Sequence, residues 1–333
     1  MDDSNGPRVT IVTLSRRAGV SPSTVSRALR GDPRISKSVR RSIAALAAEE
    51  GYLPNAVARG LASGRSGLIG LALGPTENPL YTQLLQLAVQ EAATRGLRFL
   101  VMHAGEGAVD EDTAGAILGY QLDGCLITSA DLSSRAAEIC ARHRVPVVMV
   151  SRVARLHASA VTCDNRAGAR EMASLLLEAG HRRFAVVHVG GRSSPGLERE
   201  HGFLERLAEA GLTPVAREEA VSSYEAGYAA GQRLVDVRPD AVFAVSDIIA
   251  LGVMDALRAG GLRVPEDVSV TGFDDIAEAA RPAYALTTAA QPLSAMVTRA
   301  LDLLEARIAN PFAPDETITL GARVVRRGSA RLG

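Results

Sequence analysis

Apolar positions recur with two different periods along the 333 residues of this chain. In the first fifty residues they return every three or four positions, the spacing of one face of a short helix. Val25, Ala28 and Leu29 share one side of a segment from Pro22 to Leu29, where they can pack on Leu14 and Ala18 of a preceding helix. Val39, Ile43, Leu46 and Ala47 mark the inner side of a third helix over about Lys37–Glu50. From about Ser66 the pattern changes to brief continuous apolar runs: 68–73, 98–102, 124–128, 147–150, 184–189, 241–245 and 268–272. Such runs predict buried strands. Helical patterns between them, as at 81–95 and 166–179, predict parallel pairing through right-handed crossovers. The strands are too many for one comfortable doubly wound sheet, and two α/β lobes of about 130 residues each suit the usual size of a domain better.

The junction between the first two helices occupies five residues, Ala18-Gly19-Val20-Ser21-Pro22. Gly19 can take the left-handed conformation that ends a helix. Ser21 is a good N-cap, and Pro22 follows at the first helical position, where its missing N–H costs nothing. On the helix that follows, Ser23, Thr24, Ser26, Arg27 and Arg30 fall away from the apolar side. They form a short polar surface with a guanidinium suited to guanine or phosphate. Ser36 stands as the cap of the third helix, which Pro54 breaks. Asn55 can cap a further helix over 56–62, closed by Ser63-Gly64. A helix that short is marginal alone in water and needs a partner or DNA. Its apolar side, Val57, Ala58, Leu61 and Ala62, is small enough for two copies to meet closely.

Charge sharpens this division. The formal net charge is zero, with 37 basic and 37 acidic residues, but they are unevenly placed. Residues 1–65 hold 11 Lys and Arg against 5 Asp and Glu, which leaves 26 against 32 in the rest. A basic head suits phosphate neutralisation, and an acidic body avoids non-specific DNA contact.

Nearly the whole chain, about residues 9–330, resembles the LacI/GalR family of transcriptional regulators. The stretches that carry the resemblance are AGVSPSTVSRAL, GYLPNAVARGLASGRSGLIGL, NPLYTQLL, RAGAREMASLLLEAGHRRFAVV, REHGF, PDAVFAVSDIIALGVMDALRAGGLRVPEDVSVTGFDD and LTTAAQPL. The resemblance implies an all-α helix-turn-helix headpiece followed by an α/β core of two parallel-sheet lobes, similar to periplasmic binding proteins. On this pattern residues 1–8 are a disordered tail, 9–53 the DNA-binding domain and 54–65 a hinge helix and linker. The core, 66–333, then holds a first lobe of about 66–163 and 292–320, and a second of about 164–291 and 321–327.

The resemblance also implies roles. Pro22, Ser23 and Arg27 stand where the family reads the major groove, and Ser21, Thr24, Ser26, Ser36 and Asn55 where it holds phosphates. Leu61 stands where a leucine from each subunit wedges into the minor groove, with Ala58 beside it; such wedging costs a few kcal/mol of unstacking and bends the DNA. In the core, polar residues gather at the carboxyl ends of the expected strands, where open parallel sheets bind ligands. Arg199 of the R-x-x-G-F motif and Asp274 of GFDD match family positions that hydrogen-bond sugar hydroxyls. Asn78, Ser129, Arg152, Asp164, Ser246, Asp247 and Gln291 are further candidates for an effector in the cleft between the lobes. Two departures bear on that effector. Ser246 replaces the family's asparagine, and Ser222 replaces an aromatic platform, in a chain without tryptophan. A small or atypical effector, or none, is implied.

Other functions are poorly supported. Lys37, in the head, is the only lysine, which removes a Walker A loop and any lysine Schiff base from the body. No G-x-S-x-G or strand-following G-x-G-x-x-G occurs, and no histidine pair has metal spacing. Asp274 and Asp275 are adjacent in an extended segment, so they should point apart rather than act as an acid/base pair. Cys125, Cys140 and Cys163 are isolated and suit a reducing cytoplasm. No catalysis, cofactor or metal is expected. A secreted solute-binding protein would share the body fold, but the start MDDSNGPRVT lacks the apolar core of a signal peptide, and no run is long enough to span a membrane. The expectation is a cytoplasmic regulator, most simply a repressor, that binds a pseudo-palindromic operator as a homodimer and answers to a small, sugar-like molecule.

Overall fold

The computed structural model of the chain describes residues 9–52, 65–74, 77–104, 108–128, 131–153, 156–190 and 194–332. The tail, the short helix expected over 56–62 with Asn55, Ala58 and Leu61, and the cleft candidate Ser129 lie outside the described residues. The chain divides into two compact units, Met1–Ser66 and Gly67–Gly333.

In the first unit, α1 (Ile11–Ala18), α2 (Pro22–Leu29) and α3 (Lys37–Glu49) enclose Leu14, Val25, Ala28, Ile43 and Ala47. Leu29, Val39 and Leu46, expected in the core, are only half-buried against it. A cluster this small shields the central stripe of each helix and leaves its margins partly wet.

The second unit is α/β. Its strands are β1 Leu68–Leu73, β2 Arg98–His103, β3 Ala108–Val109, β4 Gly124–Thr128, β5 Asp131–Leu132, β6 Val147–Val150 and β7 Ser159–Cys163. They continue with β8 Phe184–His188, β9 Ala216–Glu219, β10 Ala241–Ala244, β11 Ser269–Asp274, β12 Thr287–Ala290, β13 Thr317–Leu320 and β14 Arg323–Val325. One six-stranded sheet has the order β13-β7-β6-β4-β1-β2, all parallel. The other has the order β14-β12-β11-β10-β8-β9, parallel except for the β12–β14 pair. β3 and β5 form a separate two-stranded pair.

Among the described residues the chain passes between the two sheets three times: after β7, after β12 and after β13. The first and third crossings are tied together, because the Asp164 amide donates to the Leu320 carbonyl at 2.7 Å. The second carries Gln291 into helix Leu293–Ala309, which packs on β4, β6 and β7 of the first sheet.

Several strands escape the hydrophobic pattern, each for a visible reason. β9 is Ala-Arg-Glu-Glu on a sheet edge, half in water, and β13 is an edge strand whose residues alternate between exposed and half-buried. β12 is Thr-Thr-Ala-Ala, small and buried, with no large apolar residue to mark it.

Candidate functional site

The headpiece surface is built by local hydrogen bonds. Gly19 ends α1 at φ 65°, and the Val20 amide donates back to the Ser15 carbonyl at 3.1 Å. That turn delivers Ser21 as N-cap of α2, its Oγ accepting the Thr24 amide at 3.2 Å. The same Oγ lies 2.8 Å from the Ser23 hydroxyl and 2.9 Å from that of Thr24, so three hydroxyls share one end of the helix. Pro22, Ser23 and Arg27 are exposed, and Ser26 is half-buried. Ser36 caps α3 by accepting the Val39 amide at 3.3 Å.

The acids of this unit are largely spent. The guanidinium of Arg34 closes on Asp32, with Nη2 at 2.7 Å, and holds that half-buried carboxyl well below its usual range. Glu50 is paired with Arg17. An exposed helix end carrying hydroxyls and basic side chains can bind phosphate and read base edges.

The second site lies where the carboxyl ends of the two large sheets meet. Asp274, the last residue of β11, is 1% exposed, and its carboxylate accepts three hydrogen bonds. Arg199 Nη1 reaches its Oδ1 at 2.9 Å and Gln291 Nε2 the same oxygen at 2.7 Å, while Asn78 Nδ2 reaches Oδ2 at 3.0 Å. Arg199 comes from helix Ser194–Glu209 of the second lobe, Gln291 from a crossing segment, and Asn78 from the start of helix Pro79–Thr94 in the first lobe. The guanidinium is held by three further contacts. Its Nε donates to Asn165 Oδ1 at 2.8 Å, its Nη1 also donates to the Val245 carbonyl at 2.8 Å, and the Phe273 ring lies 3.9 Å beneath it.

Both sequence motifs have a structural reading. In R-x-x-G-F, a Cβ on Gly202 would meet the Arg166 carbonyl at 2.3 Å, so glycine lets the two helices touch and brings Arg199 beside Asn165. Phe203 anchors the segment by stacking on Phe243, with ring centroids 4.3 Å apart. In GFDD, a Cβ on Gly272 would strike Asp247 Oδ1 at 2.2 Å. Phe273 supports the guanidinium and Asp274 is the hub. Asp275 turns away to Arg327 at 2.6 Å, so the two acids do point apart. Both have positive φ, 133° and 64°, a strained pair of non-glycine residues placed at the site.

Asp247 is wholly buried next to this hub. It accepts the Ile276 amide at 3.0 Å and the Thr288 hydroxyl. Burial, and next the charge of Asp274, push its carboxyl up to about 7. Ser246, also buried, lies 3.4 Å from the Ser222 hydroxyl and makes no cap bond. Asp164 is used as a helix cap, accepting the Ala167 amide at 2.9 Å, and is not joined to the hub. Arg152 pairs with Asp131 at 2.7 Å.

Of six buried polar side-chain atoms with no partner among the described residues, four stand at or next to the carboxyl ends of strands: Thr128 Oγ1, Ser151 Oγ, Arg152 Nε and Gln291 Oε1. Buried unpartnered polar atoms in such a place are what a hydroxyl-rich ligand would satisfy. Thr128 was absent from the sequence-based candidates, although it is the terminal residue of an expected strand. Asn165 and Ser151 were visible only as polar neighbours of Asp164 and Arg152. Nothing in the sequence pointed to Thr288.

Residues 10–55 match the profile described as "Bacterial regulatory proteins, lacI family", and residues 173–330 match the "Periplasmic binding protein-like domain". The HTH-type transcriptional regulator CelR of Thermobifida fusca is 32% identical, over 97% of this chain and 98% of that protein. The chain belongs to the LacI family of bacterial regulatory proteins. A structure described as the complex of transcriptional regulator CelR with cellobiose matches with TM-score 0.73 at 29% identity, covering 97% of this chain and 100% of that one. The Lac repressor dimer bound to operator and the anti-inducer ONPF matches with TM-score 0.88 at 25% identity, covering 97% and 99%. The members of this family are transcriptional regulators, and this LacI-family chain is not an enzyme. No helix among the described residues is long and apolar enough to cross a membrane.

Proposed function

We propose that this LacI-family chain is a cytoplasmic, sequence-specific repressor that binds a pseudo-palindromic operator as a homodimer and is controlled by a sugar or sugar-like molecule in the interlobe cleft. The carrying observation is the Asp274 hub, a buried carboxylate with a stacked arginine and two carboxamides, set in the same chain as an exposed, hydroxyl-rich recognition helix. A carboxylate and a guanidinium held rigid in this way suit adjacent hydroxyls of a sugar. The solved relatives support both halves, since one is in complex with cellobiose and the other is bound to operator DNA.

In this reading Pro22, Ser23 and Arg27 meet bases, while Ser21, Thr24, Ser26, Ser36 and Asn55 hold phosphates. Leu61, flanked by Ala58, enters the minor groove at the centre of the site. Residues 66–163 with 292–320 form the first lobe, and residues 164–291 with 321–327 the second. Effector binding changes the angle between lobes, and through it the ability of paired 54–65 segments to insert. The test is selection of operator sequences from a random duplex library by the full-length protein, followed by titration of cellobiose and other sugars into the selected complex. The expected result is an inverted repeat whose affinity shifts with at least one sugar. Enrichment of no sequence would refute the regulator. Enrichment without a response to any sugar would refute control by a sugar. Leu61→Ala should weaken binding to the selected operator at least tenfold, measured by fluorescence anisotropy.

A further inference from the structure

Asn78 is the first-lobe residue that reaches the hub of the second lobe. Its carboxamide orientation follows from its bonds. Oδ1 accepts the Leu80 amide at 3.0 Å as an N-cap, so the amino group is the end that faces Asp274. Both partners are almost fully buried, at 6% and 1% exposure, and 196 positions separate them in the chain. The other carboxylate oxygen is already shared by Arg199 and Gln291. Asn78 therefore occupies the remaining oxygen, the one a ligand hydroxyl would need.

We propose that Asn78 is an interlobe latch, an internal stand-in for an effector hydroxyl that holds the two lobes closed on Asp274 and must be displaced when an effector takes that oxygen. The inference rests on the reading of this cleft as the effector site and adds how that site is regulated. A carboxamide suits the task because it brings a donor to the carboxylate without a second charge, so the bond can be exchanged for a hydroxyl at small electrostatic cost. Gln291 couples the latch to the crossing between lobes, because it bonds the same carboxylate from a segment that passes from one sheet to the other. Closure in this protein is then the resting arrangement, and the effector competes with a side chain.

Two substitutions separate the latch from the helix cap. Asn78→Ser and Asn78→Asp both keep an oxygen that can cap the helix. The first removes the donor to Asp274, and the second sets a carboxylate against it. Hydrogen–deuterium exchange of the full-length protein without sugar should show amides of 150–153 and 272–276 exchanging at least fivefold faster in Asn78→Ser, and faster still in Asn78→Asp at pH 8. Amides of 184–187 and 241–244, inside the second sheet, should be unchanged. Affinity for the selected operator should move in the same direction in both variants, by threefold or more. Unchanged exchange at the cleft segments in both variants would overturn the latch. Failure of the unsubstituted protein to select any operator would overturn the regulator instead, and the exchange data would decide the latch independently.

Discussion

The headpiece and the cleft use the same chemistry, hydroxyls, carboxylates and guanidiniums, at opposite extremes of sequence separation. On α2 the hydroxyl cluster joins Ser21 to Ser23 and Thr24, two and three positions away. At the hub, Asp274 is joined to Asn78, Arg199 and Gln291 across 196, 75 and 17 positions. The headpiece groups are exposed and stay solvated until DNA arrives. Those of the cleft are buried, so the Asp274 carboxylate is met by protein donors before a ligand is present, while four neighbouring polar atoms are left for a ligand to satisfy. An exposed reader can therefore lose a residue with modest structural cost, whereas the cleft is part of what holds the lobes folded.

The contrast can be broken most directly at Arg199. Arg199→Leu leaves Asp274 buried with its charge unpaired and should destabilise the core by about 3–5 kcal/mol, read as a lower urea midpoint of the core transition. A loss below about 1 kcal/mol would show that water reaches Asp274 and that the cleft is no more committed than the headpiece.

Asp247 offers a pH test of the same idea. Its carboxyl is raised in the folded state, by burial first and by Asp274 second. The folded protein thus holds this proton more tightly than the unfolded chain. The resulting stability is fully present below the unfolded carboxyl range near pH 4 and is lost as pH rises through about 7. Thermal unfolding of Asp247→Asn, which keeps the shape, should lose most of this decline between pH 4 and 8. An unaltered profile would assign the decline to other groups.

Smaller effects are expected in the head. Arg27→Ala should leave core unfolding unchanged and relax operator preference at one base pair by about 1–3 kcal/mol, measured with single-substitution operators. Uniform loss across all operators would make Arg27 a phosphate contact. Ser21→Ala removes the α2 cap and should cost the headpiece about 1 kcal/mol, visible as an earlier helical melt by circular dichroism.

How much was legible follows from the same difference. The start of helix α2 was read to the residue, because the stop of α1, the cap of α2 and its first-turn proline are all within five positions and act through neighbours. The parallel strands β1, β4 and β6 were equally plain, since strands buried on both faces are continuous apolar runs. β9 and β12 were not, because an edge strand or a strand of small residues lacks that signal. At the site, Arg199 and Asp274 were found through their motifs. Asp164 was grouped with them by its place at a strand end, yet its oxygen caps a helix. Thr128 and Thr288 went unnoticed because a threonine in a strand has the same appearance whether its hydroxyl faces a cleft or a neighbouring backbone.

The sequence by itself determined the helix-turn-helix, the α/β alternation, the basic head on an acidic body and the family. These depend on local periodicity, capping and composition, which act over a few residues at a time. Only the tertiary structure decided that Asp274 is shared by a first-lobe asparagine, a glutamine from a segment crossing between the lobes and a stacked arginine, and that Asp247 is buried against it. Those relations require two sheets to meet at their carboxyl ends, and the energies involved come from desolvation, which no residue has until the chain is packed around it.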